Sequence, residues 1–210
     1  AHGQFILGLE VTELEAQLQA YTGAPHAITC ASGTDALKLL LLAKSVKAND
    51  VVFVPAFTFA ATAEIVADIG AIPYFVDIEE DSFNMDPHSL QAAIQEAKKN
   101  GLTLKGVIAV DLFGLPANYP VLEDIAAKEN LFLIADAAQS FGGKIGSKRV
   151  GALTQMTATS FFPSKPLGGY GDGGCLFSED DDVAKKIRSL RVHGAGEHRY
   201  DHIYVGMTSR

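Results

Sequence analysis

The chain has little cysteine, a deficit of positive charge and no long apolar run, and each shortage closes off a class of function. Its two cysteines, Cys30 and Cys175, lie far apart and form no Cys-x-x-Cys pair. Neither a disulfide framework nor a thiolate metal site is expected, and both read as buried free thiols. The 17 Lys and Arg against 25 Asp and Glu leave a net charge of -8. With no dense basic stripe, this argues against binding nucleic acid by phosphate neutralisation, and a small molecule becomes the expected partner. Apolar stretches such as Leu37 to Ala43, interrupted by Lys38, are far too short to span a membrane. No charged-then-apolar leader opens the sequence, so a soluble cytoplasmic protein is the expectation. A Gly-x-Gly-x-x-Gly after the first strand, a Walker-type Gly-Lys-Ser/Thr and internal repeats are also missing, which lowers the standing of a simple nucleotide-binding protein.

What is present is ample apolar material. With 210 residues, 48% of them hydrophobic and 20% charged, one large globular domain is expected. A helical stripe of Val11, Leu14, Leu18 and Tyr21 marks Val11 to Tyr21. Short β-prone runs follow at Ala27 to Cys30, Val51 to Val54, Ile72 to Val76, Gly106 to Val110, Leu131 to Ala135 and Thr157 to Phe161. Helical patterns separate most of them, at Thr34 to Ala43, Ala60 to Ile69, Pro87 to Lys98 and Pro120 to Glu129. Asp86 before Pro87 is a strong helix start, a capping oxygen followed by proline at the first helical position. Near-continuous apolar strands alternating with helices predict an α/β fold, a mostly parallel central sheet sandwiched in three layers, α/β/α.

In such sheets ligands gather beyond the carboxyl ends of the strands, and the notable polar residues fall there. The small-residue turn Ala31-Ser32-Gly33-Thr34-Asp35 opens a helix, whose free N–H groups and dipole suit a phosphate, although Ser32 or Thr34 could simply cap it. Asp136 directly follows an apolar strand among small neighbours, where a partly desolvated carboxylate wants a cationic partner; it could equally cap a short helix after it. Ser160 ends another strand. Phe59, in Pro55 to Thr62, is either core or a flat platform for a ligand. Finally, Ser160-Phe161-Phe162-Pro163-Ser164-Lys165-Pro166 precedes five glycines between residues 168 and 174. Pro166 biases Lys165 toward an extended backbone, and the glycines are expected to supply backbone angles that other residues resist, bending a loop that presents one lysine.

Five ordered blocks together resemble the pyridoxal-phosphate aminotransferases of fold type I, and within them the nucleotide-sugar aminotransferases of the DegT family. They are Phe5-Ile6-Leu7-Gly8 with Glu10-Val11 and Leu14-Glu15, the turn Ser32 to Leu37, Pro55 to Thr62, Asp136-Ala137-Ala138-Gln139, and Ser160 through Lys165. The resemblance implies that residues 1–210 are the large, pyridoxal 5'-phosphate-binding domain. It makes Lys165 the residue that holds the cofactor aldehyde as a Schiff base and then acts as the mobile base. Asp136 is implied to pair with the protonated pyridine nitrogen and Gln139 to sit by the ring's phenolic oxygen. Phe59 stacks on the ring, and Gly33, Thr34 and Ser160 hold the phosphate. The reaction implied is a two-stage amino transfer, with an amino acid, usually glutamate, as donor and a nucleotide-linked keto-sugar as acceptor, in a homodimer whose sites draw on both subunits. In the related sugar dehydratase branch histidine replaces this lysine, so Lys165 favours transamination.

The chain also departs from the pattern. Family members usually carry asparagine where Thr208 stands, reaching the neighbouring subunit's phosphate, and proline where Leu9 stands. They begin with a further helix and continue into a small C-terminal domain, so a protein truncated at both ends is expected. A non-catalytic relative that keeps the scaffold for binding or assembly is the rival reading. His193, His198 and His202 with Glu197 and Asp201 fit no zinc spacing and read as a solvated loop. The acids of Ser178 to Asp182 read as a helix start, and Glu79-Glu80-Asp81 as a solvated turn.

Overall fold

Alternate residues of the central strands belong to two different cores, because successive side chains point to opposite faces of a sheet. In the computed structural model, described for residues 3–198 and 200–210, seven strands form that sheet. They are β1 (His26–Cys30), β2 (Asp50–Pro55), β3 (Ile72–Val76), β4 (Thr103–Val110), β5 (Phe132–Asp136), β8 (Met156–Ser160) and β9 (Gly174–Ser178). A two-stranded hairpin, β6 (Lys144–Ile145) with β7 (Lys148–Arg149), stands apart from it. The spatial order is β1-β9-β8-β5-β4-β2-β3. Parallel pairs join β3, β2, β4, β5 and β8, while β9 runs antiparallel to both β8 and β1.

Among the described residues six α-helices complete the fold: α1 (Leu9–Thr22), α2 (Gly33–Ala43), α3 (Ala61–Asp68), α4 (Pro87–Lys99), α5 (Tyr119–Lys128) and α6 (Asp181–Leu190). Val52, Val54, Ile108 and Ile134 pack with α2, α3 and α6 on one face. Val51, Phe53, Val107 and Leu133 pack with α4 and α5 on the other. Leu18 of α1 closes a third cluster over Ala27, Cys175 and Phe177 at the β1–β9 end. The three layers are those expected from the sequence.

Helix α2 is firmly anchored. Leu39, Leu40 and Leu41 are all fully buried, so the helix is covered nearly all round. At about 2 kcal/mol for each buried leucine, the packing holds its amino end rigidly at the sheet's edge of chemistry. Three helix starts are capped by side chains: Ser32 Oγ accepts from Asp35 N–H at 3.0 Å, and Asp86 and Asp180 each accept from two N–H groups of their first turns.

Three expectations need correction. Strand β9 is absent from the sequence reading, because its five residues start inside the glycine run and its burial on both faces leaves no alternation to see. None of the five glycines between 168 and 174 occupies the left-handed region. Two of them are required by crowding instead: a Cβ at Gly168 would lie 2.4 Å from Pro163 O, and one at Gly174 would lie 2.4 Å from Ser32 O. Asp136 is the last residue of β5, paired in register with Val110, and only a turn follows it, so no helix exists for it to cap.

Candidate active site

The carboxyl ends of β4, β5 and β8 open on a cavity of about 420 Å³. All seven residues singled out from the sequence, Gly33, Thr34, Phe59, Asp136, Gln139, Ser160 and Lys165, line it. They come from four separate stretches of chain, and it is the parallel topology that gathers them, since every strand of the set delivers its following loop to the same end.

At one group of walls stands the start of α2. Ser32 does the capping, which leaves the Thr34 hydroxyl exposed and the N–H groups of Gly33 and Thr34, at the first two helical positions, outside the helix ladder. Gly33 is obligatory: a Cβ there would come within 2.7 Å of Ser160 Cβ. Ser160 Oγ accepts from Phe162 N–H at 3.2 Å, so its own proton stays free to donate. Together these donors form a compact cradle for an anion at a helix amino terminus.

Asp136 is only 8% exposed. Burial pushes its carboxyl above the ordinary range, against the opposing pull of Thr62 Oγ1–H at 3.0 Å, Ala138 N–H at 3.2 Å and the charge of Lys165. Among the described residues no cation is bonded to it. Lys165 is half-buried, held by a turn in which its N–H donates to Phe162 O at 2.8 Å, and its Nζ has no hydrogen bond or ion pair among the described residues. Gln139 Oε1 accepts from Phe113 N–H at 2.9 Å, so its amide N–H2 is the end left to donate. Phe59, 70% exposed, offers a bare aromatic face. The arrangement can bind an anion, pair with a buried cation and present an amine, all within one cavity.

Comparison with known proteins decides the family. Residues 1–210 match the DegT/DnrJ/EryC1/StrS aminotransferase family. The chain belongs to that family. Among curated relatives it is 48% identical over 209 residues to the UDP-2-acetamido-2-deoxy-3-oxo-D-glucuronate aminotransferase of Pseudomonas aeruginosa, covering 100% of this chain and 56% of that protein. Among solved structures, a family aminotransferase from Brucella abortus superposes with a TM-score of 0.97 at 51% identity, covering 99% of this chain and 56% of that one. The Bacillus subtilis protein NtdA, solved with bound cofactor PMP, superposes with a TM-score of 0.89 at 29% identity, covering 97% of this chain and 45% of that one. The chain thus spans about half the length of the family members it matches.

The structure adds residues that sequence reasoning passed over. Thr62, in the first turn of α3, lay inside a quoted block but had no role until its hydroxyl was seen on Asp136. Asp172 also lines the cavity. Asp111, fully buried behind Asp136, was missed although the signal that found Asp136, an acid directly after an apolar strand, applies to it equally. Of the other features, Thr208 Oγ1 lies 2.7 Å from His193 Nε2, and His202 Nδ1 lies 3.1 Å from His193 O. Among the described residues no group of three His, Cys, Asp or Glu side chains is placed to hold a metal ion, and no helix is long and apolar enough to cross a membrane. Cys30 and Cys175 are free and buried.

Proposed function

We propose that residues 1–210 form the cofactor-binding large domain of a pyridoxal-phosphate-dependent aminotransferase that moves an amino group onto a nucleotide-linked keto-sugar. The observation that carries this reading is the pairing, in one cavity, of a free lysine amine with a buried carboxylate that lacks a cation. The residues present fit the cofactor: the α2 cradle suits its phosphate, Asp136 its protonated ring nitrogen and Phe59 its ring face. The names of the relatives support the activity and the class of acceptor.

When bound, the cofactor supplies an aldehyde that condenses with amines and a ring that withdraws electrons from the carbon beside it. Gly33 and Thr34 N–H groups, with the Thr34 and Ser160 hydroxyls, hold the phosphate. Asp136 keeps a proton on the ring nitrogen by offering its negative charge at short range in a desolvated setting. The Gln139 amide donates to the phenolic oxygen. The Lys165 amine would hold the cofactor's aldehyde and, as an amine at the cavity wall, would serve as the base that moves a proton at the substrate carbon. Over a full cycle an amino acid becomes a keto acid and the keto-sugar becomes an amino-sugar. We place glutamate as the donor, a homodimer as the working form, the cytoplasm as its compartment, and the supply of amino-sugars for cell-surface polysaccharide such as O-antigen as its use. The intact Lys165 beside a buried Asp136 weighs against a non-catalytic scaffold.

The test is a visible absorption titration of the purified protein with pyridoxal phosphate, before and after glutamate, alongside Lys165→Ala. A new band that glutamate bleaches, and that the variant never forms, is expected. A folded native chain that gives no band would reject the reading.

A further inference from the structure

Behind the cavity, Asp111 is fully buried at the end of β4 and is bonded on both carboxylate oxygens. Its Oδ1 accepts from Ala117 N–H at 3.0 Å and from the Tyr119 hydroxyl, and its Oδ2 accepts from the Ser140 hydroxyl at 2.5 Å. Its backbone N–H donates to Asp136 O at 3.0 Å. One residue therefore ties together the end of β5, which carries Asp136, the turn after it, which carries Gln139, and the loop between β4 and α5. That loop carries backbone strain of its own. Phe113 sits at φ 56°, a left-handed conformation unfavourable for a bulky residue, and the loop is braced from outside by Asn84, whose side chain accepts from Leu112 N–H and donates to Leu115 O, and by the Phe57 and Phe83 rings against Phe113. Yet Phe113 N–H is the group that fixes the Gln139 side chain.

We propose that Asp111 is a positioning residue, whose buried carboxylate clamps the 136–140 turn to the 112–119 loop and so fixes Gln139 and Asp136 at the cavity wall. It touches neither the cavity nor anything bound there. The catalytic meaning of the clamp rests on the reading of the cavity given above; the clamp itself does not. Burial lifts the Asp111 carboxyl to about 6, with the Ser140, Tyr119 and Ala117 donors pulling it down, so it stays mainly ionised and accepting at neutral pH.

Asp111→Ala and Ser140→Ala are compared with the native chain by hydrogen exchange of individual amides and by affinity for added pyridoxal phosphate. Ser140→Ala, which cuts only the link to the turn, carries the test if Asp111→Ala does not fold. Loss of a charge-assisted bond corresponds to about tenfold faster exchange of the Phe113 and Ala138 amides, with the Val107 amide in the strand unchanged. Cofactor affinity should fall by about the same factor. Asp111→Asn should restore protection, since its oxygen can accept from Ala117 and Tyr119 while its N–H2 donates to Ser140. Unchanged exchange at Phe113 and Ala138, faster exchange spread evenly over the sheet, or an asparagine as labile as the alanine would each overturn the clamp. A native chain that shows the exchange pattern but binds no cofactor would instead reject the assignment of the cavity.

Discussion

Two buried carboxylates in this chain are held in opposite ways. Glu15 of α1 lies between Arg191 at 2.8 Å and Arg188 at 3.2 Å and also accepts from Thr29 N–H at 2.9 Å. Burial pushes its carboxyl up, but the Thr29 bond and the two guanidinium groups outweigh that and hold it below the usual range. Asp136 is about as buried, is hydrogen-bonded only by a hydroxyl and an amide, feels the Lys165 charge without an ion pair, and is left raised. The scaffold supplies a bonded cation where it needs an acid for structure. Where the acid faces the cavity no ion pair is made among the described residues, and the position is open to a ligand that brings a cation. The contrast separates a fastening from a site more clearly than burial alone could.

The sharpest way to break the contrast is Asp136→Asn. It should keep or slightly raise stability, since an unpaired buried charge is removed, while slowing the bleaching of the cofactor band by glutamate by about a thousandfold, or about 4 kcal/mol of transition-state stabilisation. Stopped-flow absorbance and urea unfolding measure the two effects on one protein. Arg191→Ala should do the reverse. It removes the buried partner of Glu15, leaving it the more exposed Arg188, and takes a donor from Thr29 O, so unfolding should show a loss of about 3 kcal/mol, with cofactor affinity unchanged in the protein that remains folded.

The pH dependence of stability should carry the same division. Asp111, with Asp136 and Tyr119 as its titratable neighbours, has a folded value of about 6 against 3.8 ordinarily. The folded state therefore binds more protons than the unfolded chain between these values, and stability falls as pH rises from about 4 to about 6, by up to about 3 kcal/mol. Glu15 is lowered, so its contribution is present above 4.5 and is lost as pH falls through its folded value. Asp111→Asn should flatten the first slope and Glu15→Gln the second, in urea midpoints measured from about pH 2 to about pH 7. The smallest effect expected is that of Thr62→Val, which removes one hydroxyl from Asp136 and should shift cofactor affinity by about 1 kcal/mol in a fluorescence titration.

Much of this was legible in the sequence. The alternation of apolar strands with helices gave six of the seven sheet strands and the three layers, because parallel strands buried on both faces read as continuous apolar runs. Six of the seven cavity residues were legible from strand ends and loops that converge on one place in such a sheet, and Gln139 through the family resemblance. What escaped notice is physically of one kind. The bond of Thr62 to Asp136 spans 74 positions, and that of Ser140 to Asp111 spans 29; neither leaves a local pattern. The role of Gly174 was invisible for the same reason, as the atom it must avoid is Ser32 O, on the other side of the chain's fold. Lys165 was found and its loop was misread: turn chemistry suggested unusual backbone angles, and close packing proved to be the cause.

The central claim is that Lys165 carries the cofactor aldehyde. Reduction with borohydride after loading with pyridoxal phosphate, followed by proteolysis and mass spectrometry, tests it most directly. The account predicts a pyridoxyl group on the peptide containing Lys165, at one equivalent per chain, and a label at that site that free cofactor cannot displace. Label scattered over surface lysines, with the Lys165 peptide unmodified, would contradict it.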